Sequence, residues 1–266
     1  MAIKIKTPEQ IELIRQSAAV LADVLAELAK ELRPGINGLH LDKMAETLIR
    51  DRGGLPSFKG YSGFPASLCI SVNEEVVHGI PNARAFKDGD LISIDAGVFM
   101  NGFHGDSAYS FALGTVKPET IKLMQVTKES LFLGIEKAVA GTRVGVISAA
   151  IQEYCERKHG YRCVRELVGH GVGRDLHEDP QVPNFGKPGE GPLLPENCVI
   201  AIEPMINMGR KDVYTKTDKW TVATQDHKPS VHFEHTVCIR PGKADILTTF
   251  APIEAAVKAN KELVFV

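Results

Sequence analysis

Residues Leu91 to Phe111 read LISIDAGVFMNGFHGDSAYSF, and this stretch decides how the rest of the chain is understood. Two apolar-rich runs flank Asn101-Gly102, the dipeptide of a two-residue type I′ hairpin turn. In that register Met100 faces Phe103, Gly97 faces Asp106, and Asp95 faces Ala108. Asp95, Gly97, Asp106 and Ala108 then share one sheet face, and the two aspartates are diagonal neighbours about 7–8 Å apart at the backbone. Between them only Gly97 and Ala108 intervene, which leaves an open pit. Two carboxylates aimed into one pit repel each other and pay for lost hydration unless a cation lies between them. The hairpin therefore reads as one wall of a metal site. Its bland alternative is a half-exposed hairpin whose aspartates point at water.

Other strands repeat the anomaly. CVIAIEPM (Cys198 to Met205) is an apolar run with Glu203 set into it, and VHFEHTVCI (Val231 to Ile239) carries Glu234 in the same way. Buried strands do not normally hold lone carboxylates, and neither run has a lysine or arginine beside it. In GHGVG, residues 169–173, glycines on both sides of His170 let the backbone approach closely and leave the imidazole unobstructed. Alone that histidine is a turn residue; beside four unneutralised carboxylates it reads as a ligand. Two Asp, one His and two Glu form a hard, oxygen-rich set suited to Mn(II), Fe(II) or Co(II), with Zn(II) also compatible. Four carboxylates carry the charge that two divalent ions neutralise, as in two-metal hydrolytic sites.

The surrounding chain predicts an α+β fold. Thr7-Pro8-Glu9-Gln10 has the pattern of a capped helix start, and Ile11, Ile14, Ala18, Leu21, Leu25 and Leu28 recur at helical spacing until Pro34-Gly35. A second helix runs from about Leu39 to Arg52, followed by Gly53-Gly54. Lys117-Pro118-Glu119 opens a third, to about Ala140, and a fourth runs to about His159 before Gly160. An offset of 106 residues lays Gly35 on Gly141, Leu41 on Ile147, Leu48 on Tyr154 and Gly54 on Gly160. Helix pair followed by sheet thus occurs twice, which predicts similar halves sharing one curved antiparallel sheet with helices over one face.

Composition sets the outer limits. The 266 residues hold 31 Lys+Arg against 33 Asp+Glu, a net charge of −2, which gives no electrostatic case for a nucleic-acid or membrane partner. The opening MAIKIKTPEQ has no apolar h-region, so no signal peptide is expected, and no apolar run approaches spanning length. Five scattered cysteines without a CxxC pair suggest neither a disulfide framework nor a zinc knuckle, and a reducing cytoplasm fits them best.

In chain order VNEEVVHGIP, ISIDAG, GDSA, GHGVG, LHEDP, IEPM, DKWTVAT and FEHTV resemble the type I methionine aminopeptidases, the bacterial form especially. The resemblance runs from the first helix to about Leu247. It implies the pita-bread fold with an internal pseudo-twofold, one catalytic domain over 1–266 with halves of about 1–112 and 113–266, and a cytoplasmic, monomeric enzyme. It implies Asp95, Asp106, His170, Glu203 and Glu234 as ligands of two divalent metals, with Asp106 and Glu234 bridging. His78 and His177 become substrate-contacting catalytic histidines, and Glu203 a proton shuttle. Tyr61, Phe64, Cys69 and Trp220 form the methionine pocket, with Phe58 and Leu176 on its wall. The implied reaction removes N-terminal methionine from nascent proteins when the second residue is small, a hydroxide shared by two metals attacking the scissile carbonyl. Transient contact with the ribosome goes with such substrates. Beginning Met1-Ala2, the chain fits that preference itself.

Leu176 stands where many bacterial members have an aromatic, and Phe58 where a smaller residue is common, which bears on pocket shape. Only 31 positions separate Glu203 from Glu234, too few for the helical insertion of the type II enzymes. Three alternatives stay open at this level: an Xaa-Pro peptidase, a non-catalytic relative binding RNA or protein, and a two-metal phosphoesterase. The first carries an extra N-terminal domain, the second would have lost ligands, and the third needs a phosphate-cradling loop that this sequence lacks.

Overall fold

A computed structural model describes residues 2–266; Met1, and with it the expectation of self-processing, lies outside the described residues. Helix α1 spans Pro8–Glu31, and the capping box is present, with Gln10 N–H donating to Thr7 Oγ1 and the Gln10 side chain accepting from Thr7 N–H. All six apolar residues named for its inner stripe are buried. Each such leucine or isoleucine contributes about 1.5–3 kcal/mol by leaving water. Helix α2 spans Gly38–Asp51, capped by Asn37, whose side chain accepts from His40 N–H. In the second half α3 covers Pro118–Lys137 and α4 Val144–Gln152, and the chain continues from α4 in a wider π-helical turn over Glu153–Lys158.

The strands of the first half are β1 (Leu55–Pro56), β2 (Leu68–Val72), β3 (Glu75–Val77), β4 (Leu91–Met100) and β5 (Phe103–Leu113). After α4 follow β6 (Arg162–Cys163), β7 (Gly169–Gly171), β8 (Glu178–Val182), β9 (Val199–Ile202), β10 (Met205–Asn207), β11 (Val213–Thr215) and β12 (Val222–Thr224). The chain ends with β13 (Ser230–His232), β14 (His235–Cys238), β15 (Asp245–Ile246), helix α5 (Ala251–Ala259) and β16 (Leu263–Val264). One five-stranded sheet is built on β4, which pairs with β1, β2 and β5, and β16 extends it beyond β5. The other runs β15-β14-β9-β7-β8, and two three-stranded ladders, β13-β10-β6 and β11-β12-β3, complete the β structure. Each strand pairing is antiparallel.

The curved sheet expected from the sequence is thus interrupted, and its seam runs between β5 and the β13–β14 segment. Glu234 N–H donates to Ala108 O at 3.0 Å, Thr236 Oγ1 to Asp106 O at 2.7 Å and Ser107 Oγ to Glu234 O at 2.8 Å. Hydroxyls replace ladder bonds there, which holds the two halves together without a continuous register. The hairpin itself has the expected register, with Gly97 opposite Asp106 and Asp95 opposite Ala108. Asn101 and Gly102 both have positive φ (54° and 80°), as a type I′ turn requires.

The two halves repeat one another in hydrogen bonding. Gly35 N–H donates to Phe86 O and Phe86 N–H to Ile36 O; Gly141 and Thr142, 106 residues on, make the same pair of bonds with Leu194, which lies 108 residues beyond Phe86. The helix ends fit a slightly different offset. Gly53, not Gly54, is the left-handed residue after α2, with φ 81° against 77° at Gly160.

Helix α1 lies directly on β4 and β5. A Cβ on Gly105 would fall 2.6 Å from Ala18 N, so only glycine permits that approach. Because strand faces alternate, the helix covers the face opposite Asp106, which leaves the acidic face for the cleft.

Candidate metal centre and substrate cleft

The acidic face opens into a cavity of about 500 Å³. Its lining includes every residue singled out from the sequence: Asp95, Asp106, His170, Glu203 and Glu234, the histidines His78 and His177, and the pocket residues Phe58, Tyr61, Phe64, Cys69, Leu176 and Trp220. Asp95 and Asp106 come from the β4–β5 hairpin, His170 from the centre of β7, Glu203 from the turn between β9 and β10, and Glu234 from the turn between β13 and β14. The site therefore straddles the seam.

Ligand atoms of Asp106, His170 and Glu234 all lie within 4.8 Å of one another. His170 Nε2 is 3.8 Å from Asp106 Oδ2 and 3.5 Å from Glu203 Oε1. Its Nδ1 is 2.9 Å from Gly171 O, and a carbonyl only accepts, so Nδ1 carries the hydrogen. Burial pulls the imidazole down to about 3, so it is neutral and its Nε2 lone pair faces the carboxylate oxygens. Lone pair against anion is repulsive unless something positive lies between them.

The carboxylates give the same indication. Asp95 Oδ1, Asp106 Oδ1 and Glu234 Oε1 are buried without a hydrogen-bond partner. Among the described residues the ion pairs of Asp106 and Glu203 are with histidine alone, with no lysine or arginine among their partners. Burial pushes the Asp106 carboxyl up to about 7. Burial first, then the neighbouring carboxylates, push Asp95, Glu203 and Glu234 well above the usual carboxylate range. Groups in this condition need protons or cations. A hard oxygen set with one correctly presented imidazole nitrogen fits divalent metal, and the Nδ1–H bond to Gly171 O is the outer contact that orients such a ligand.

The apolar end of the cleft holds Phe58, Phe64, Ala66, Cys69 and Leu176 in one cluster, with Ile80 and Trp220 packed against it. Phe64 and Trp220 meet edge to face at 5.1 Å. Cys69 on β2 is the cross-strand partner of Asp95, so the pocket adjoins the acidic cluster directly. The open pit foreseen beside Gly97 is filled: a Cβ there would lie 2.7 Å from Ser57 Cβ and 3.0 Å from Phe58 Cε1. The glycine admits the pocket wall, and the free space lies beyond it, toward β7.

His177 sits at the rim, its ring 4.1 Å from that of His170 and its Nδ1 2.8 Å from the Tyr61 hydroxyl. His78 takes a left-handed backbone (φ 57°) at the end of β3, costly for a residue with a Cβ. Gly79 must follow it, since a Cβ there would fall 2.1 Å from Ile70 O. Burial holds His78 down to about 4.

One buried polar residue escaped the sequence reading. His232 Nε2 lacks a hydrogen-bond partner and lies 3.7 Å from Glu203 Oε2. The signal was available, because His232 precedes Glu234 by two residues in an extended segment and so shares its side. Leu167, Gln181 and Met205 also line the cavity and carried no sequence signal.

The sequence profile of metallopeptidase family M24 matches residues 12–241. A methionine aminopeptidase 1 of Bacillus subtilis is 50% identical over 243 residues, covering 91% of this chain and 98% of its own. A methionine aminopeptidase of Clostridium perfringens is 51% identical over 246 residues, with 92% and 98% covered. Among solved structures, a methionine aminopeptidase from Rickettsia prowazekii superposes with TM-score 0.91 at 36% identity, covering 93% of this chain and 100% of that one. A prolidase from Pyrococcus furiosus shares the fold at TM-score 0.76 and 22% identity, with 92% of this chain but 65% of that chain covered.

Proposed function

The chain belongs to metallopeptidase family M24 and is an aminopeptidase that removes N-terminal methionine, and we propose that Asp95, Asp106, His170, Glu203 and Glu234 hold two divalent cations for that reaction. The observation that carries this reading is the ring of partnerless carboxylate oxygens on Asp95, Asp106 and Glu234 around the lone-pair face of His170. Four carboxylates with one neutral imidazole match the charge of two divalent ions, and Mn(II), Fe(II), Co(II) and Zn(II) all suit the donors. Bound there, such ions would supply Lewis acidity, lowering the pKa of water to about 7 and polarising the scissile carbonyl.

The chain's own residues do the rest. The unbranched thioether of methionine fills the cluster of Phe58, Phe64, Cys69, Leu176 and Trp220, with Tyr61 at the rim. The Tyr61 hydroxyl lies 2.8 Å from His177 Nδ1; with the hydroxyl assigned as the donor, His177 Nε2–H is left to donate to the scissile carbonyl oxygen. Glu203 accepts the proton of the attacking water on a carboxylate oxygen and passes it to the leaving nitrogen, and His78 steadies that amide. A small second residue is part of the same proposal, and the Met-Lys-Ser peptide tests it. Residues 1–266 act as one domain, with the reaction at the seam between its halves.

A nascent polypeptide is the substrate, so the cytoplasm is the place of action and the ribosome a transient partner. No helix among the described residues is long and apolar enough to cross a membrane. A monomer suffices, since each proposed side chain comes from one chain.

The test uses chelator-stripped protein reloaded with Mn(II) or Co(II) and three peptides, Met-Ala-Ser, Met-Lys-Ser and N-acetyl-Met-Ala-Ser. Free methionine is expected from the first alone. Cleavage of Xaa-Pro peptides instead, or methionine release unaffected by chelation, would overturn the reading.

A further inference from the structure

Outside the acidic cluster the chain buries a second charged assembly. Lys6 Nζ lies 2.5 Å from Glu178 Oε2, with side-chain exposures of 4% and 1%. Lys6 also donates to Lys4 O at 3.0 Å, while Glu178 Oε1 accepts Arg174 N–H at 3.1 Å, Asp175 N–H at 3.4 Å and Lys4 Nζ at 3.4 Å. Lys6 is itself fixed to the second half, its N–H donating to Asn197 O at 2.9 Å beside the bridge between Ile5 and Cys198.

The loop that these bonds hold is residues 172–177, which joins the strand of His170 to the strand that begins at Glu178. Gly173 crosses directly over the ion pair. A Cβ there would lie 2.5 Å from Glu178 Oε1 and 2.8 Å from Lys6 Cε, so a side chain at this point would displace the ends of the paired side chains. His177 immediately precedes Glu178, in the bend that leads into that strand. The Glu178 carboxylate is turned to Lys6 and the loop N–H groups, while the His177 ring lies in the cleft against the His170 ring and the Tyr61 hydroxyl.

Removing two charges from water is costly, and an apolar pair of similar volume commonly holds a fold as well or better. What an apolar pair cannot do is accept two loop N–H groups in fixed directions. We propose that the buried Lys6–Glu178 pair is a positioning device for His177, setting the loop so that the imidazole meets the scissile carbonyl. Lys6 and Glu178 are positioning residues that touch no substrate. The inference rests on the reading of His177 given above.

The test compares wild type with Lys6→Met/Glu178→Met and with Lys6→Met/Glu178→Gln, which removes both charges but keeps an acceptor for the loop. In the first variant kcat for Met-Ala-Ser is expected to fall about tenfold or more (a displacement of about 1 Å can cost a hundredfold) with KM changed less than threefold and metal content unchanged. The glutamine variant should regain most of the loss. The 15N signals of the His177 imidazole, read without substrate, should shift in the methionine variant and return toward wild type in the glutamine one. Unchanged kcat and unchanged imidazole signals in the methionine variant would overturn the proposal, and should that variant not fold, the glutamine variant is held to the same two readouts. If wild-type protein itself releases no methionine, the functional reading fails, while the imidazole signals still decide whether the pair sets His177.

Discussion

His170 Nε2 and Asp106 Oδ2 lie 3.8 Å apart across the seam, one from each half of the chain. With Nδ1 committed to Gly171 O, that approach sets a lone pair against a carboxylate, which a cation between them, or a proton on the carboxylate, makes favourable. Asp106→Asn and Glu234→Gln keep the shape of the site and remove one charge each. Both are expected to lower bound metal per chain and to cut turnover of Met-Ala-Ser by at least about a hundredfold, since contacts one layer further out already cost 10–100-fold. Elemental analysis together with turnover checks this, and full metal content with near-normal activity in either variant contradicts the ligand assignment.

Stripping the metal should make stability depend on pH in an unusual direction. The folded Asp106 carboxyl, at about 7, lies above its ordinary 3.8, and Asp95, Glu203 and Glu234 shift the same way. An acid raised on folding binds more protons folded than unfolded, so its contribution is intact below about pH 4 and is lost as pH rises through about 7. The buried histidines act oppositely, but only below about pH 6.5. Between pH 6.5 and 8.0, therefore, the Tm of chelator-treated protein should fall, and added Mn(II) should raise Tm more at pH 8.0 than at 6.5. A flat Tm across that interval would count against the burial of unneutralised carboxylates.

Gly97→Ala tests the packing of the methionine pocket. The added methyl would meet Ser57 Cβ at 2.7 Å and Phe58 Cε1 at 3.0 Å, so the Phe58 ring has to move. Overpacking of this kind costs about 1–3 kcal/mol. The expected outcome is a lower Tm and a KM for Met-Ala-Ser raised about tenfold, with kcat less affected. Steady-state kinetics checks the split, and an unchanged KM would place Phe58 outside the pocket.

Trp220→Ala separates binding from folding. The indole is only partly buried and touches Phe64 edge to face, so its loss leaves most of the core intact. An aromatic contact of this type contributes about 0.5–1.5 kcal/mol beyond its buried area. KM for the methionyl peptide is expected to rise about tenfold or more while Tm changes little; a large Tm loss with unchanged KM would make the residue structural.

These sites differ in how visible they were in the sequence. Asn101-Gly102 and the alternation around it define the hairpin to the residue, because turn type and pleat leave one register. Thr7 marks the first helix start through its capping pattern, and Glu203 and Glu234 stand out as charges in apolar strands; Asn37, which caps the second helix, carries no such pattern. Distant pairings left no such trace. Ser107 and Thr236 hold the seam through bonds spanning 127 and 130 positions, and a serine or threonine in a strand says nothing about its partner. Lys6 and Glu178 lie 172 positions apart and each reads as an ordinary surface charge. Ser57 and Phe58 cover Gly97 from the bend just after the two-residue strand β1, which periodicity does not reveal, and an open pit is what the hairpin alone suggests there.

The most direct measurement is calorimetric titration of chelator-stripped protein with Mn(II) at pH 7.5, run alongside Asp95→Asn. The account predicts two ions bound per wild-type chain, fewer in the variant, and methionine release from Met-Ala-Ser that appears as the sites fill. No Mn(II) uptake by the wild-type protein, or equal uptake by wild type and variant, would contradict it.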